Sequence, residues 1–361
     1  MQPRFLIIGA GITGAVLAHR LACDGASVTV IDQQAPASAA SGRSFGWVNA
    51  SFHLSEAHFH LRRAAMESHR RLAEDLSRSY QPEGCLWFEE EGEAFDRQHD
   101  ALVALDYPLR LLDRAAISAL EPRLAHPPAR ALFFPLESAV DLALLTRAAF
   151  EAASSHGAHL ICGLTVSRLL TDDGRVTGIR TSAGDIAADH VVLCAGTGTP
   201  ALLAPLGLHL PMLHRPGALL VTRPLPPLLH HILATPDQEV RQDHEGRLVA
   251  PASAHHQGDT AETLPSPPEM EQATLMRLRH LFPNAFIRPD RLLISERPVP
   301  GDGLPVIGAV LPGLSMAVMH SGATLAPLVA ELMTLELGGQ GEQPLLAPFR
   351  PARFFGATVE T

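Results

Sequence analysis

Residues 5–14 of this 361-residue chain read FLIIGAGITG and give the first indication of its fold. The apolar start of this stretch, Phe5–Ile8, is typical of a strand buried on both faces, and it leads directly into the pattern GxGxxG. The three glycines serve different purposes: Gly9 permits a tight turn, Gly11 lets the backbone approach a pyrophosphate, and Gly14 lets a helix pack against the strand. The segment therefore predicts the start of a dinucleotide-binding unit.

The residues that follow extend this unit to a second strand. Apolar spacing predicts a helix over 12–24, and the free N–H groups at its start would attract a diphosphate. The second strand, over 27–32, ends on an acid at the position where a carboxylate accepts hydrogen bonds from the ribose hydroxyls. The motif alone does not distinguish NAD from FAD. The further nucleotide contacts that we predict from this unit are Ile12, Thr13, Asp32 and Gln33.

Composition excludes several classes of function. The sequence contains no lysine, so its 28 basic residues are all arginine, and lysine Schiff-base chemistry, pyridoxal phosphate chemistry and a Walker-type phosphate loop are excluded. A net charge of −10 argues against nucleic acid as a main partner. The four cysteines form no CxxC pair and the 19 histidines match no ligand spacing, so we predict no metal site. We recognise no membrane span or targeting segment and expect a cytoplasmic protein.

A small polar loop after the second strand favours FAD. Residues 38–49 read SAASGRSFGWVN, whereas an NAD-binding domain would be expected to continue with strand and helix. Here the chain resembles the D-amino-acid oxidase family of FAD-dependent flavoproteins, which includes glycine oxidase, sarcosine oxidase and related amine dehydrogenases. In that family the loop lies along the flavin. The resemblance implies cofactor contacts from Ala40, Ser41, Gly42, Phe45, Gly46 and Trp47.

A segment in the middle of the chain carries the same resemblance. A strand predicted over 160–170 and a hairpin turn at 172–175 lead, after a second turn, to an apolar strand that ends at Ala195 and Gly196. In the family, the residue matching Val166 contacts the adenine through its backbone, and the turn matching Ala195 and Gly196 lies beside the dinucleotide.

The C-terminal segment is the most specific. Residues 297–308, RPVPGDGLPVIG, match the family pattern RPxxxDGxPxIG at every fixed position, and residues 320–327, HSGATLAP, resemble the run that opens the family's last helix. Pro327 suits the first turn of that helix. The resemblance implies that Arg297 holds the substrate carboxylate, and we hypothesise that His320 lines the flavin edge. The start of the last helix would stabilise negative charge on the flavin through Ser321, Gly322, Ala323, Thr324 and Leu325.

The resemblance also implies the fold class. We predict an α/β protein with a Rossmann-like FAD-binding domain and a discontinuous substrate domain built on an antiparallel sheet. The FAD-binding domain would comprise residues 1–80, 138–221 and 295–361. The substrate domain would comprise residues 81–137 and 222–294. Further side chains that could reach the substrate are Asn49, Arg241 and His255.

The function implied is oxidation of the C–N bond of a small amino acid or N-methyl amino acid, with hydride transfer to flavin N5. One alternative is a dehydrogenase, or the flavin subunit of a heteromeric dehydrogenase, that passes electrons to a quinone or a protein instead of oxygen. Another is a flavin-binding subunit without a substrate of its own. A homo-oligomer is left open. A tRNA-modifying relative is disfavoured by the negative charge.

Two departures from the family bear on these predictions. Tyrosines that clamp the ligand in several members have no counterpart in 222–294, so the substrate cannot be carried over, and the residues used elsewhere for covalent attachment are missing, so we predict non-covalent FAD. Sarcosine-oxidase-type members use a lysine beside the flavin to activate oxygen. This chain has none, which implies that another cation takes that role or that oxygen is not the acceptor.

Overall fold

The computed structural model describes residues 3–76, 80–81, 83–254 and 259–355. Within them the helices are α1 (Ile12–Cys23), α2 (Glu56–Asp75), α3 (Gly92–Ala104), α4 (Arg114–Leu120), α5 (Leu142–Ser155), α6 (Thr199–Leu203), α7 (Pro267–Leu281), α8 (Gly322–Leu337) and α9 (Ala352–Phe355). The strands of the first half are β1 (Arg4–Ile8), β2 (Ser27–Asp32), β3 (Trp47–Val48), β4 (Tyr80–Gln81), β5 (Cys85–Trp87), β6 (Arg110–Asp113), β7 (Arg130–Phe134), β8 (Ser138–Val140), β9 (His159–Cys162), β10 (Val166–Asp172) and β11 (Arg175–Thr181). The later strands are β12 (Gly184–Ala187), β13 (His190–Leu193), β14 (Met212–Leu213), β15 (Pro216–Thr222), β16 (Ile232–Ala234), β17 (Glu239–Gln242), β18 (Leu248–Pro251), β19 (Pro289–Glu296), β20 (Val299–Pro300), β21 (Val306–Leu311) and β22 (Leu314–Val318).

A six-stranded sheet forms the first layer, in the order β21-β22-β13-β1-β2-β9. The pairs from β22 to β9 are parallel, and only β21 runs antiparallel to its neighbour. Phe5 and Ile7 of β1 enter one apolar cluster with α1, α5 and α8, whereas Leu6 and Ile8 enter a second cluster on the other face. The prediction of a strand buried on both faces is therefore confirmed.

An eight-stranded sheet forms the second layer, in the order β19-β15-β18-β17-β16-β5-β7-β6. The sheet was predicted to be antiparallel, and the structure adds one parallel pair, β5 with β16. This pair joins two segments that are far apart in the sequence, so no hairpin turn dictates the relative direction of its strands.

The domain boundaries stay a prediction, but sheet membership suggests a change to one of them. The strand β15 was assigned, up to residue 221, to the FAD-binding domain, yet it pairs with β18 and β19 in the eight-stranded sheet. The short ladder of β14 with β20 lies just before it. We propose that the chain crosses to the second domain between β14 and β15.

The middle segment matches its prediction except at one point. The two-residue turn at Asp173 and Gly174 has positive φ at both residues, as a tight hairpin requires, and it joins β10 to β11. The single strand predicted over 160–170 is instead two strands, β9 and β10. They are separated at Gly163, whose φ of +78° does not belong to a strand, and they pair in different sheets.

Candidate active site

One edge of the six-stranded sheet brings together the residues that follow four of its strands. Because β1, β2, β13 and β22 are parallel, their carboxyl ends meet at the same edge, which is where open α/β sheets bind ligands. The cleft there has about 1400 Å³ of space, a volume that includes the open space at its mouth. The predicted site residues that line it are Gly9, Gly11, Ile12, Thr13, Asp32, Ala40, Ser41, Phe45, Gly46, Trp47, Ala195, Gly196, Arg297, His320, Ser321, Gly322 and Ala323.

Two glycines of the motif have no room for a side chain, one in the turn after β1 and one in the first turn of α1. Gly9 has a φ of +116°, and a Cβ there would collide with the carbonyl oxygen of Cys194. A Cβ on Gly14 would collide with the carbonyl oxygen of Gly9, so α1 could not approach the turn. The start of α1 therefore opens onto the cleft, where its N–H groups suit a diphosphate. The Ile12 N–H donates to the Ser41 hydroxyl at 3.0 Å, which ties the loop after β2 to this helix.

The acid at the end of β2 is positioned by the same turn. The Asp32 carboxylate accepts hydrogen bonds from the N–H groups of Ala10 at 2.7 Å and Gln34 at 2.8 Å, and it remains in the cleft wall. A glycine turn, an open helix start and an oriented carboxylate together fit the diphosphate and ribose of FAD.

Other predicted cofactor residues lie outside the cleft lining. Thr324 and Leu325 are completely buried behind the start of α8, and Gly14 acts through close helix packing. Gly42 supports the loop, because a Cβ there would collide with the carbonyl oxygen of Ala37. The residues predicted as contacts that do not line the cleft are Gly14, Gln33, Gly42, Val166, Thr324 and Leu325.

Arg297 lies in the cleft wall at the end of β19. Its side chain is 12% exposed, and it donates from Nε to the Arg215 carbonyl oxygen and from Nη2 to the Asp259 carbonyl oxygen, both at 3.1 Å. The Asp259 carboxylate lies 3.7 Å from Nη2. Burial lowers the pKa of Arg297, and the charge of Asp259 opposes that shift. The guanidinium thus faces the cleft with one carboxylate beside it.

The acids close to Arg297 in the sequence have other partners. Glu296 accepts a hydrogen bond from the Arg215 N–H and lies 3.0 Å from His214 Nδ1. Asp302 pairs with Arg353, 2.7 Å away. The ion-pair partner of Arg297 among the described residues is therefore Asp259, which no sequence pattern indicated.

The helix α8 begins one residue after Ser321 and points its first turn at the cleft. Pro327 was predicted in that first turn, but it lies in the second, because the helix begins at Gly322. A proline there has no N–H to donate to the carbonyl oxygen of Ala323, four residues earlier. His69 of α2 replaces that donor, with its Nε2 2.6 Å from the Ala323 oxygen. Burial lowers the pKa of His69 to about 4, so its ring is neutral at pH 7.

The helix α2 also brings a residue that the sequence reasoning missed. Arg62 is 1% exposed and lines the cleft. It donates from Nη1 to the Ser321 hydroxyl at 2.7 Å, from Nη2 to Asn49 Oδ1 at 2.6 Å and from Nε to the Asn49 carbonyl oxygen at 3.0 Å. A signal for it exists in the sequence, since Arg62 falls on the helical stripe of Phe59 and Met66 that faces the core.

A buried carboxylate supports the flavin-loop residue Trp47. Glu137 is fully buried and accepts hydrogen bonds from Trp47 Nε1 at 2.8 Å, the Tyr107 hydroxyl at 2.9 Å and the Ser51 N–H at 3.3 Å. Burial raises the pKa of Glu137 to about 7, although these hydrogen bonds act against the shift. This network orients a cleft-lining side chain from behind.

Two of the three side chains expected near the substrate have other surroundings. Asn49 is buried and binds Arg62 rather than lining the cleft. Arg241 is also buried, and its Nε donates to the Phe45 carbonyl oxygen at 2.6 Å, so it supports the loop from the eight-stranded sheet. His255 lies outside the described residues. The described residues of that sheet that line the cleft are Gly217, Ala218, Leu219, Ser295 and Glu296.

Comparisons with known proteins agree with this geometry. Residues 4–335 match the model of the DAO family, described as FAD dependent oxidoreductase. The chain is 28% identical over 378 residues to a bifunctional protein ThiO/ThiG of Nostoc sp., covering 98% of this chain but only 55% of that protein. It is 27% identical over 383 residues to a glycine oxidase of Pseudomonas aeruginosa, covering 98% of this chain and 99% of the relative. The solved structure of glycine oxidase from Geobacillus kaustophilus superposes with a TM-score of 0.87 at 25% identity, covering 98% and 100% of the two chains.

Proposed function

The chain belongs to the DAO family of FAD-dependent oxidoreductases, and from this premise we propose that it oxidises the C–N bond of a small amino acid or N-methyl amino acid. The observation that carries the proposal is Arg297, whose guanidinium lies in the cleft wall with most of its surface buried. A guanidinium fork can bind both oxygens of a substrate carboxylate and so fix the orientation of the α-carbon.

The cofactor in this proposal is FAD held without a covalent bond. Gly9, Gly11 and the start of α1 would hold its diphosphate, Asp32 its ribose, and the loop from Ala40 to Trp47 its ring system. Bound FAD supplies the hydride acceptor. Denaturing mass spectrometry of the yellow protein should give the mass of the polypeptide alone, whereas a flavin-sized increment would contradict a non-covalent cofactor.

The residues of the cleft bind and orient the substrate without a free carboxylate base. Among the described lining residues the carboxylates are Asp32 and Glu296, and both already accept hydrogen bonds from backbone N–H groups. The substrate amine would therefore react in its neutral form. Loss of a hydride from the α-carbon and of one proton from nitrogen leaves a neutral imine, which water hydrolyses to an oxo acid and an amine or ammonia.

Anaerobic mixing with a panel of amino acids and N-methyl amino acids tests the proposal. We expect the visible flavin absorbance to bleach with at least one member of the panel. Bleaching by none of them would contradict the proposed substrate class and favour a flavin-binding subunit without its own substrate. Related amines that lack the carboxylate serve as the matched control, because they cannot use Arg297.

A dehydrogenase is the second candidate, and the absence of lysine from the sequence favours it. Admitting air to the bleached protein separates the two, because an oxidase recolours rapidly and forms peroxide, whereas a dehydrogenase needs another acceptor. The identity of that acceptor, a partner subunit, self-association and a cytoplasmic location stay predictions. Among the helices of the described residues, none has the length and apolar character to cross a membrane.

A further inference from the structure

The cleft contains a buried cation that the proposed substrate chemistry does not use. Arginine side chains line the described cleft at three positions, of which Arg43 is exposed and Arg297 has Asp259 beside it. Arg62 differs from both. It is buried, its three hydrogen-bond acceptors are all neutral oxygens, and no carboxylate of the described residues lies within 4 Å of its guanidinium.

The charge of Arg62 persists at neutral pH. Burial lowers the pKa of Arg62 to about 10, while the charge of Glu137 opposes this shift. A buried charge without a direct partner costs free energy, so its retention indicates that negative charge arises nearby in some state of the protein. The described residues that line this part of the cleft offer no carboxylate to supply it.

The start of α8 lies in the same part of the cleft as Arg62. Ser321 adopts the left-handed conformation, with φ +59°, and its hydroxyl accepts the hydrogen bond from Arg62. Within the described residues, the N–H groups of Gly322 and Ala323, which line the cleft, donate to no backbone oxygen. A fixed cation and the positive end of a 16-residue helix are thus directed at one place, through a contact between α2 and α8.

We propose that Arg62 sets the midpoint potential of the bound FAD, because its fixed charge stabilises the negative charge that reduction adds. The proposal rests on the family's cofactor and on the cleft described above. It also identifies which cation acts beside the flavin in a chain without lysine. Arg62 would act with α8 through Ser321, and no contact between its side chain and the substrate is required.

The test measures the midpoint potential of the holoprotein by equilibration with a reference dye during slow enzymatic reduction, without any amino acid. At pH 8.5, where Glu137 is ionised, we expect Arg62→Gln to weaken the preference for reduced over oxidised FAD about tenfold or more, which is a fall of ~30 mV or more for a two-electron couple. Arg62→Lys keeps the charge and should restore most of the potential. Arg70→Gln, an exposed position on the same helix, is the matched control and should leave the potential unchanged.

Glu137→Gln provides an independent arm if Arg62→Gln does not fold or bind FAD. It removes the opposing negative charge, so the potential should rise. The proposal is overturned if the midpoint potential is unchanged in both Arg62→Gln and Glu137→Gln. It is also overturned if the midpoint potential falls as far in Arg62→Lys as in Arg62→Gln. Because no amino acid is present, failure here is distinguishable from failure of the proposed function, which appears as the absence of bleaching across the substrate panel.

Discussion

Two arginines face the same cleft from opposite layers, and their surroundings differ. Arg62 comes from α2, is 1% exposed and binds neutral oxygens of Asn49 and Ser321. Arg297 follows β19 of the eight-stranded sheet, is 12% exposed and has the Asp259 carboxylate 3.7 Å away. The Asp259 carboxylate, 3.7 Å from Arg297 Nη2, occupies a place that a substrate carboxylate could take, whereas the acceptors of Arg62 are neutral oxygens of the protein that hold its guanidinium in place. The surroundings of Arg297 therefore suit substrate binding, and those of Arg62 suit a positive charge that stays in place.

The largest expected effect is on KM in a variant of Arg297, the arginine proposed to bind the substrate. Arg297→Gln should raise the KM for the best amino acid of the panel by about 10²-fold or more, because two charge-assisted hydrogen bonds of about 1.5–3 kcal/mol each are lost. Steady-state kinetics and dye equilibration check this, since the midpoint potential should stay at its wild-type value. A KM within twofold of wild type would contradict the carboxylate role, and Arg297→Lys should fall between the two because it keeps the charge without the fork.

The free energy of unfolding should depend on pH through His69, which lies on the same helix as Arg62. The folded pKa of His69, about 4, lies below the unfolded value of about 6.5, so the unfolded chain binds more protons between these values. Stability is therefore complete above about pH 6.5 and falls as pH decreases towards 4, by about 3 kcal/mol from this one residue. Urea unfolding at pH 5 and pH 7.5 should show a smaller pH dependence for His69→Gln than for wild type. The exposed His60→Gln should retain the full dependence.

The next largest effect on the free energy of unfolding should come from Glu137, which supports the flavin loop. Glu137→Gln places an amide donor among three hydrogen-bond donors, from Trp47, Tyr107 and Ser51, and should lower the free energy of unfolding by about 1–3 kcal/mol. The folded pKa of Glu137 is raised to about 7, so its contribution falls as pH rises from about 4.3 to 7, opposite in sign to that of His69. Chemical denaturation of His69→Gln and Glu137→Gln over a range of pH separates these opposing trends. An unfolding free energy equal to that of wild type would show that the network does not need the carboxylate.

The smallest expected effect concerns the carboxylate beside Arg297. Asp259→Asn removes the competitor of the substrate carboxylate. At 3.7 Å the contact is a weak ion pair, worth about 0.2–1 kcal/mol, so KM should fall by roughly 1.5- to 5-fold. Isothermal titration with a carboxylate inhibitor such as acetate gives the same comparison without turnover. A higher KM in the variant would mean that Asp259 positions Arg297 rather than competing with the substrate.

Local segments were predicted well because their geometry depends on few residues. The turn at Gly9 and the hairpin at Asp173 and Gly174 need positive φ, which the residue types themselves indicate. The interruption at Gly163 and the position of Pro327 were missed for a different reason. The first depends on which sheet each half of the segment joins, and the second is tolerated because His69, remote in the sequence, supplies the missing donor.

The cofactor-binding unit could be predicted from the sequence alone, because a buried strand, three glycines, a helix and an acid interact within one short segment. The sequence also indicated Arg297 through a motif of adjacent residues. The surroundings of Arg62 and Arg297 in the cleft could not be predicted in this way, because they depend on contacts between distant segments. Arg62 meets Ser321 across 259 positions of chain, and Arg297 meets Asp259 across 38. Such contacts depend on how elements far apart in the sequence pack together, so they cannot be predicted from the spacing of residues within one segment.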